Sequence, residues 1–184
     1  MKKLNLGYIR IILSEGCDRN MSKALESVWT VMEGSNWLGA CHATTSVIYI
    51  LLAELGYEPE IYIGELTLPG SFHKFDHSWI EVNGKVIDLA IALPLNQVGR
   101  QEPVVMGREV ISSKVPNMKY KSQNFPPNFD YQAQKVKDVS IYKYLEDAPE
   151  QIYEYFNKIL QDVIPNLSKD DIKEKYSDTY RQVK

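Results

Sequence analysis

Two segments near the start of the chain have the spacing of hydrophobic residues that is typical of helices. Residues 21–33 (MSKALESVWTVME) place apolar side chains three and four positions apart, and the tripeptide Gly-Ser-Asn ends this run. Residues 41–55 are apolar almost all the way round, which predicts a central helix covered on most sides by other elements. Gly56 follows as a C-cap, and Pro59 lies just beyond it.

The pattern then changes to alternation between apolar and polar residues. Residues 60–66 (EIYIGEL), 76–82 (DHSWIEV) and 85–91 (KVIDLAI) alternate and are rich in β-branched and aromatic residues, which predicts three strands. Asn83-Gly84 separates the last two. This dipeptide predicts a two-residue hairpin turn, because both turn residues need a positive φ angle.

The second half of the chain is predicted to finish the fold with helices. Residues 103–115 add one or two strands, and the Pro- and Asn-rich residues 115–132 are irregular. A helical pattern begins at Ser140, breaks around Pro149 and resumes, and Ser168 caps a short last helix. Helices, then an antiparallel sheet, then helices is the order of an α+β fold.

The size and composition indicate one globular domain. The chain has 184 residues, of which 44% are hydrophobic and 24% charged. We therefore predict a single domain over residues 1–184, with its core in residues 36–91 and a C-terminal helical segment over residues 138–184. The formal net charge of −3 shows no basic excess, which argues against nucleic acid or an anionic membrane as the main partner.

The chain carries no convincing membrane or export segment. Arg10 and Glu15 interrupt the apolar stretch of the first residues, and no small-x-small cleavage pattern follows. Residues 44–55 are apolar but too few to span a bilayer. We therefore expect a soluble, cytoplasmic protein whose two cysteines, Cys17 and Cys41, are free thiols.

Cys41 stands where a nucleophile would gain most from its position. At the start of the second predicted helix, unpaired N–H groups and the helix dipole favour an anion, and the thiolate is the reactive form of cysteine. The alternative interpretation is a small buried hydrophobic residue. The next residue, His42, is expected to diverge from Cys41, since consecutive residues of a helix do not face each other.

The hairpin register predicts a base and an acid close together. Counting outward from Asn83-Gly84 places Trp79 opposite Asp88 and His77 opposite Ala90. His77 and Asp88 then share a face as diagonal neighbours, within side-chain reach. Asp88 is therefore placed to accept a hydrogen bond from one ring nitrogen of His77 while the other nitrogen serves the thiol. The alternative is that Asp88 merely ends its strand at the surface.

These segments resemble the transglutaminase-like branch of the papain-like Cys-His-Asp superfamily. The resemblance covers about residues 36–91 and lies in GACHATTSVIYILLAELGYEPEIYIGE, HSWIEV and GKVIDLA. It implies a papain-like core, with a central buried helix that carries the cysteine and packs on an antiparallel β-sheet, followed by C-terminal helices. It also implies that Cys41 is the nucleophile, His77 the general base and acid, and Asp88 the orienting carboxylate.

The sequence departs from the papain pattern where the oxyanion hole is built. The papain branch has a glutamine six residues before its cysteine, and Ser35 stands there in this chain. A backbone N–H of Cys41 or His42 is an alternative donor. The Arg-Gly-Gly lead-in of arylamine N-acetyltransferases is also missing, which counts against an acetyl-coenzyme A role. Candidate oxyanion or substrate residues are Asn36, Trp37, His42 and Trp79.

The expected function is that of a cysteine hydrolase, a peptidase or amidase acting through a thioester on a peptide, protein or small amide. Acyl transfer to an amine and non-catalytic peptide binding are the alternatives. Neither a cofactor nor a metal is expected. A metal site of Cys41, His73 and His77, with or without Cys17, is the alternative, but the His-x₃-His spacing crosses from a loop into a strand instead of lying on a helix, and no C-x₂-C pair accompanies it. The loop over residues 67–75 and the irregular residues 115–132 are expected to wall the cleft.

Overall fold

A computed structural model of the protein describes residues 16–68, 74–95, 101–122 and 125–184. These residues form an α+β fold in which helices and a four-stranded sheet share a hydrophobic core. Two parts of the sequence interpretation lie outside the described residues: the apolar start of the chain, and residues 69–73 of the predicted loop, which include His73. None of the described helices is long and apolar enough to cross a membrane.

The two N-terminal helices form as the hydrophobic pattern predicts. Helix α1 spans Arg19–Gly34, and the side chain of Asp18 caps it by accepting hydrogen bonds from two backbone N–H groups. Helix α2 spans Cys41–Glu54 and is buried along nearly its whole length. Gly56 follows with φ +86°, a left-handed conformation that glycine adopts without strain.

The main sheet contains four strands: β1 at Pro59–Thr67, β2 at Lys74–Val82, β3 at Lys85–Ile87 and β6 at Gln182–Val183. Their order across the sheet is β3-β2-β1-β6. The first three strands are antiparallel, but β6 runs parallel to β1, so the sheet is mixed and the prediction of a wholly antiparallel sheet is wrong. A two-residue strand is too short to show any periodicity in the sequence.

The β2–β3 hairpin has the predicted register, with Val82 opposite Lys85 and Ile80 opposite Ile87. The third strand is shorter than predicted, because it ends at Ile87 instead of residue 91. Asp88 leaves the hairpin and exchanges two backbone hydrogen bonds, 2.7 and 2.8 Å long, with Val104. The predicted pairing therefore does not continue beyond Ile80, and a short 3₁₀ helix at Ala90–Ala92 takes the place of the strand.

The remaining elements are two short strands and four helices, of which the helix at Glu150–Val163 is the longest. The predicted break around Pro149 is present, since this residue caps the helix that begins at Glu150. Ser168 and Asp171 form the capping box of the last helix. The helix at Tyr131–Lys137, α3, was not predicted from the sequence, and the side chain of Asp130 caps it. The elements are β4 at Val104–Val105, β5 at Arg108–Glu109, α3 at Tyr131–Lys137, α4 at Ile141–Glu146, α5 at Glu150–Val163 and α6 at Lys169–Tyr176.

The sheet separates two layers of buried side chains. Ile80 and Ile87 belong to the larger cluster, which α1, α2 and the C-terminal helices complete. Trp79 points to the opposite side and belongs to a smaller cluster that includes Leu66 and Tyr120. This alternation along β2 follows from the two-residue period of a strand.

Gly64 provides a test of how β6 joins the sheet. A Cβ atom at this position would lie 2.5 Å from the carbonyl oxygen of Lys184 and 3.0 Å from the ring of Trp79. We expect Gly64→Ala to lower the free energy of unfolding by about 1–3 kcal/mol, because neither the backbone nor the buried ring can move freely. Urea denaturation measures this change.

Gly34→Ala is the matched control for this substitution. Gly34 ends α1 and has no atom within 4 Å of the added Cβ, so alanine should leave stability unchanged or raise it by up to about 1 kcal/mol. Equal stability of the two variants would contradict the close approach of β6 to Gly64.

Candidate active site

Helix α2 places Cys41 at its first position. The N-cap residue Ala40 makes no side-chain capping bond, so the N–H groups of the first turn have no side-chain acceptor there. Cys41 is 9% exposed and lines a cavity. The partial positive charge of the helix N-terminus therefore acts on a thiol whose residue lines the cavity.

The hydroxyl groups that follow Cys41 are buried but satisfied. The side chains of Thr44, Thr45 and Ser46 donate hydrogen bonds of 2.7–2.9 Å to the carbonyl oxygens four residues earlier. A run of buried polar residues is therefore compatible with a central helix, since each hydroxyl has its partner within the helix itself.

Strand β2 supplies His77, and the residue after β3 supplies Asp88. The Nε2 atom of His77 lies 2.7 Å from Oδ2 of Asp88, and both side chains are buried. Asp88 also accepts hydrogen bonds from the Tyr120 hydroxyl at 3.0 Å and from the Ile91 backbone N–H at 3.1 Å. Asp88 is thus a fully bonded buried carboxylate, and the interpretation of it as a surface residue at a strand end is wrong.

The charges of Cys41 and His77 stabilise each other. Burial alone would raise the pKa of Cys41, but the nearby His42 and His77 rings, by charge and hydrogen bonding, hold it well below the ordinary value. Burial alone would lower the pKa of His77, but the charges of Asp88 and Cys41 raise it to about 10. Because Asp88 occupies Nε2, the remaining nitrogen Nδ1 is the one available to the thiol. The arrangement favours a thiolate–imidazolium pair.

His42 does not diverge from Cys41 as the helix periodicity predicted. Its ring lies close enough to Cys41 to lower the pKa of the thiol, and its Nδ1 atom is 2.7 Å from the Ser78 hydroxyl on β2. The prediction treated the helix as isolated. The hydrogen bond to the sheet holds the ring at the end of the helix, where the imidazole reaches back towards the sulfur.

Cys41 and His77 open onto a cavity of about 710 Å³. Asn128, Phe129 and Asp130 form part of its wall, which confirms the prediction for residues 115–132. Lys74 and Phe75, at the end of the predicted loop, also line it. A second cavity of about 410 Å³ adjoins the first, and five residues line both: Gly39, His42, Gln132, Val136 and Tyr144.

Not all of the residues predicted from the sequence to contact the oxyanion or the substrate line this cavity. Asn36 is exposed, with φ 49°, and lines neither cavity. Trp37 lines the second cavity and packs against Tyr155 at a ring-centre distance of 5.0 Å. Trp79 is fully buried outside both cavities, and its indole N–H donates to Glu81 at 3.0 Å. Trp79 therefore supports the sheet and does not touch the cavity.

Two residues near the site were left out of the sequence candidates. Tyr120 donates to Asp88 from a Pro- and Asn-rich segment whose pattern gives no hint of this contact. Arg181 reaches the first turn of α2 from the C-terminal end of the chain. Cys17 lies apart from this cluster, with its sulfur 3.3 Å from the Ser22 hydroxyl. Both cysteines are free, and no group of three or more metal-ligating side chains occurs in the described ranges.

The two cysteines should differ sharply in reactivity. The pKa of Cys41 is held well below the ordinary value, whereas burial raises that of Cys17, so at any given pH the thiolate fraction is larger at Cys41. We expect iodoacetamide to modify Cys41 at least about tenfold faster than Cys17 at that pH. The rate at Cys41 should already be near its plateau at neutral pH, while that at Cys17 rises only above pH 9. Peptide mass spectrometry measures both rates, and similar pH profiles would contradict the activated pair.

Replacing Asp88 separates its role from that of Tyr120. Asp88→Asn keeps the shape of the side chain but removes the charge that stabilises protonated His77, so Cys41 alkylation at pH 7 should slow about tenfold or more. Tyr120→Phe removes one donor and leaves the carboxylate in place, so its effect should stay within about threefold. A larger loss in Tyr120→Phe than in Asp88→Asn would contradict this assignment.

Comparisons with known proteins were made at the level of family, sequence and structure. No protein-family model matches the chain, and no curated protein or solved structure matches it at a significant level. Its functional interpretation therefore depends on the residues and on their geometry.

Proposed function

We propose that the protein is a cysteine enzyme that cleaves an amide or related acyl bond through a thioester on Cys41. The observation that carries the proposal is the buried hydrogen bond of 2.7 Å between His77 and Asp88, with His77 and Cys41 lining the same cavity at the start of α2. We also propose that the fold belongs to the transglutaminase-like branch of the papain-like superfamily. The order of cysteine helix, histidine strand and following aspartate supports this.

Acylation begins with attack of the Cys41 thiolate on the substrate carbonyl carbon. A sulfur–carbon bond forms, and the carbonyl oxygen becomes an oxyanion. The backbone N–H groups of Cys41 and His42 at the N-terminus of α2 are the donors in this proposal, because the N-cap residue Ala40 offers them no side-chain acceptor and the helix dipole places them in a positive field. Protonated His77 then gives its Nδ1 proton to the leaving nitrogen, and the carbon–nitrogen bond breaks.

Deacylation reverses the roles of the same groups. Neutral His77 takes a proton from water, and the oxygen attacks the thioester carbon. The carbon–sulfur bond breaks, which releases the carboxylic acid product and restores the thiolate and the imidazolium. Asp88 holds the ring by Nε2 throughout and stabilises it whenever it is charged.

The cavity supports a peptide, protein or small amide as substrate. A volume of about 710 Å³ is in the range of ordinary ligand sites, and the cavity is open to solvent at its edge. Transfer of the acyl group to an amine is the second candidate. The observation that favours it is the adjoining cavity of about 410 Å³, which shares His42 with the first and offers a place for a second reactant.

A burst experiment with p-nitrophenyl acetate tests the proposal without a known substrate. We expect one equivalent of nitrophenol to appear rapidly, with the acetyl group found on Cys41 by mass spectrometry, followed by slower turnover. Cys41→Ala should abolish the burst, and His77→Ala should slow it by about 100-fold or more. Cys17→Ala is the matched control and should keep the burst.

The products distinguish hydrolysis from acyl transfer. With glycinamide present, hydrolysis alone gives only acetate, whereas acyl transfer gives N-acetylglycinamide at a rate that increases with amine concentration. An unchanged burst in His77→Ala, or an acetyl group found only on Cys17, would refute the enzyme proposal and favour the binding interpretation.

A further inference from the structure

Arg181 is a buried cation that the proposed mechanism does not use. It directly precedes β6 and is 4% exposed. Its Nη2 atom donates to the carbonyl oxygen of His42 at 2.8 Å and to the Ser46 hydroxyl at 2.5 Å. Its Nη1 atom donates to the Val136 carbonyl at 3.4 Å, and the guanidinium lies 5.0 Å from the ring centre of Tyr144.

All of these contacts are with neutral groups. In the part of the chain that the structure describes, no carboxylate lies within ion-pair distance of Arg181. A buried charge normally has an opposite charge nearby, because removal from water is otherwise unfavourable. The titratable groups whose charge acts on Arg181 are Tyr144 and Cys41. The pKa of Tyr144 is raised to about 12 by burial, so this side chain is neutral at pH 7 and Cys41 is the remaining anion.

The position of Arg181 also opposes the helix dipole. A cation beside the first turn of α2 is unfavourable, since the N-terminus of a helix already carries partial positive charge. Four groups face the Cys41 sulfur or the helix end: the rings of His42 and His77, the Tyr144 side chain and Arg181. The carboxylate of Asp88 offsets His77. The remaining excess of positive charge at this end of α2 is compatible with burial when the Cys41 sulfur is an anion, because the thiolate then balances it.

We propose that Arg181 is a positioning residue of the active site, whose buried guanidinium holds the first turn of α2 and stabilises the thiolate of Cys41. The inference rests on the proposed function, because it takes the thiolate to be the reactive form. It adds the C-terminal strand to the site, since β6 pairs with β1 and thereby carries Arg181 beneath α2.

The pH dependence of Cys41 alkylation by iodoacetamide tests this role on the full chain. Wild type is compared with Arg181→Gln, which keeps hydrogen-bond donors but loses the charge, and with Arg181→Met, which loses both. We expect the midpoint of the profile to rise by about one pH unit, which is about a tenfold slower reaction at pH values well below the wild-type midpoint. Arg181→Lys should recover most of the wild-type rate, since it restores the charge.

Lys184→Met is the matched control. It removes a cation at the end of the same strand, where Lys184 pairs with Glu81 at 2.6 Å away from the cavity. We expect the wild-type midpoint in this variant. An equal shift in Lys184→Met would overturn the role of Arg181, because disturbance of β6 would then explain it.

Two outcomes separate this inference from the proposed function. A wild-type midpoint as high as that of Cys17 contradicts the thiolate itself. A low midpoint that is unchanged in a folded neutral Arg181 variant, with folding checked by near-ultraviolet circular dichroism, overturns only the role of Arg181.

A second measurement covers the case in which the neutral variants do not fold. Cys41 is modified with iodoacetate or with iodoacetamide in a His77→Ala background, which places a charged or a neutral adduct of similar size near Arg181. We expect a higher melting temperature for the charged adduct at pH 7. An equal or lower melting temperature would overturn the proposal.

Discussion

The buried hydrogen bond between His77 and Asp88 is the constraint on which the rest of the site depends. Asp88 is 1% exposed, and three donors satisfy its buried carboxylate, from β2, from the 3₁₀ helix and from Tyr120. The imidazole of His77 can be one of these three donors only when the β2–β3 hairpin has its observed register. Fold and charge are therefore coupled, since a slip of one residue would leave a buried carboxylate without its main partner.

The two cysteines of this chain show that the surroundings of a thiol determine the direction in which its pKa shifts. Cys17 is buried beside a serine and a backbone carbonyl, and its pKa is raised, as expected of a small structural residue. Cys41 is also buried, but it lies at a helix N-terminus beside the rings of His42 and His77, and its pKa is lowered. The same side chain thus has opposite chemistry at two positions of one fold.

The sequence predicted the core of the site well because strands and helices have fixed periods. The apolar run after Cys41 predicted the buried helix, and Asn83-Gly84 set the register that brings His77 and Asp88 to one face. The end of β3 at Ile87 was not predictable, because it depends on the pairing of Asp88 with Val104, sixteen residues further along the chain. Among the described residues, His77 therefore has a strand partner only on the β1 side, where it lies opposite Gly64, and Leu93 after the 3₁₀ helix instead accepts a hydrogen bond from Gly39, in the chain before α2.

The sequence by itself determined the two N-terminal helices, the first two strands of the main sheet, the register next to the hairpin turn and the identity of the candidate site residues Cys41, His77 and Asp88, since these follow from local periodicity and from side-chain chemistry. Only the tertiary structure decided the position of His42, the contact of Tyr120 with Asp88 and the insertion of Arg181 under α2. Each of these contacts joins segments that are distant along the chain. No local pattern encodes them, because they depend on the packing of β2, of residues 115–132 and of the C-terminal strand against a shared core.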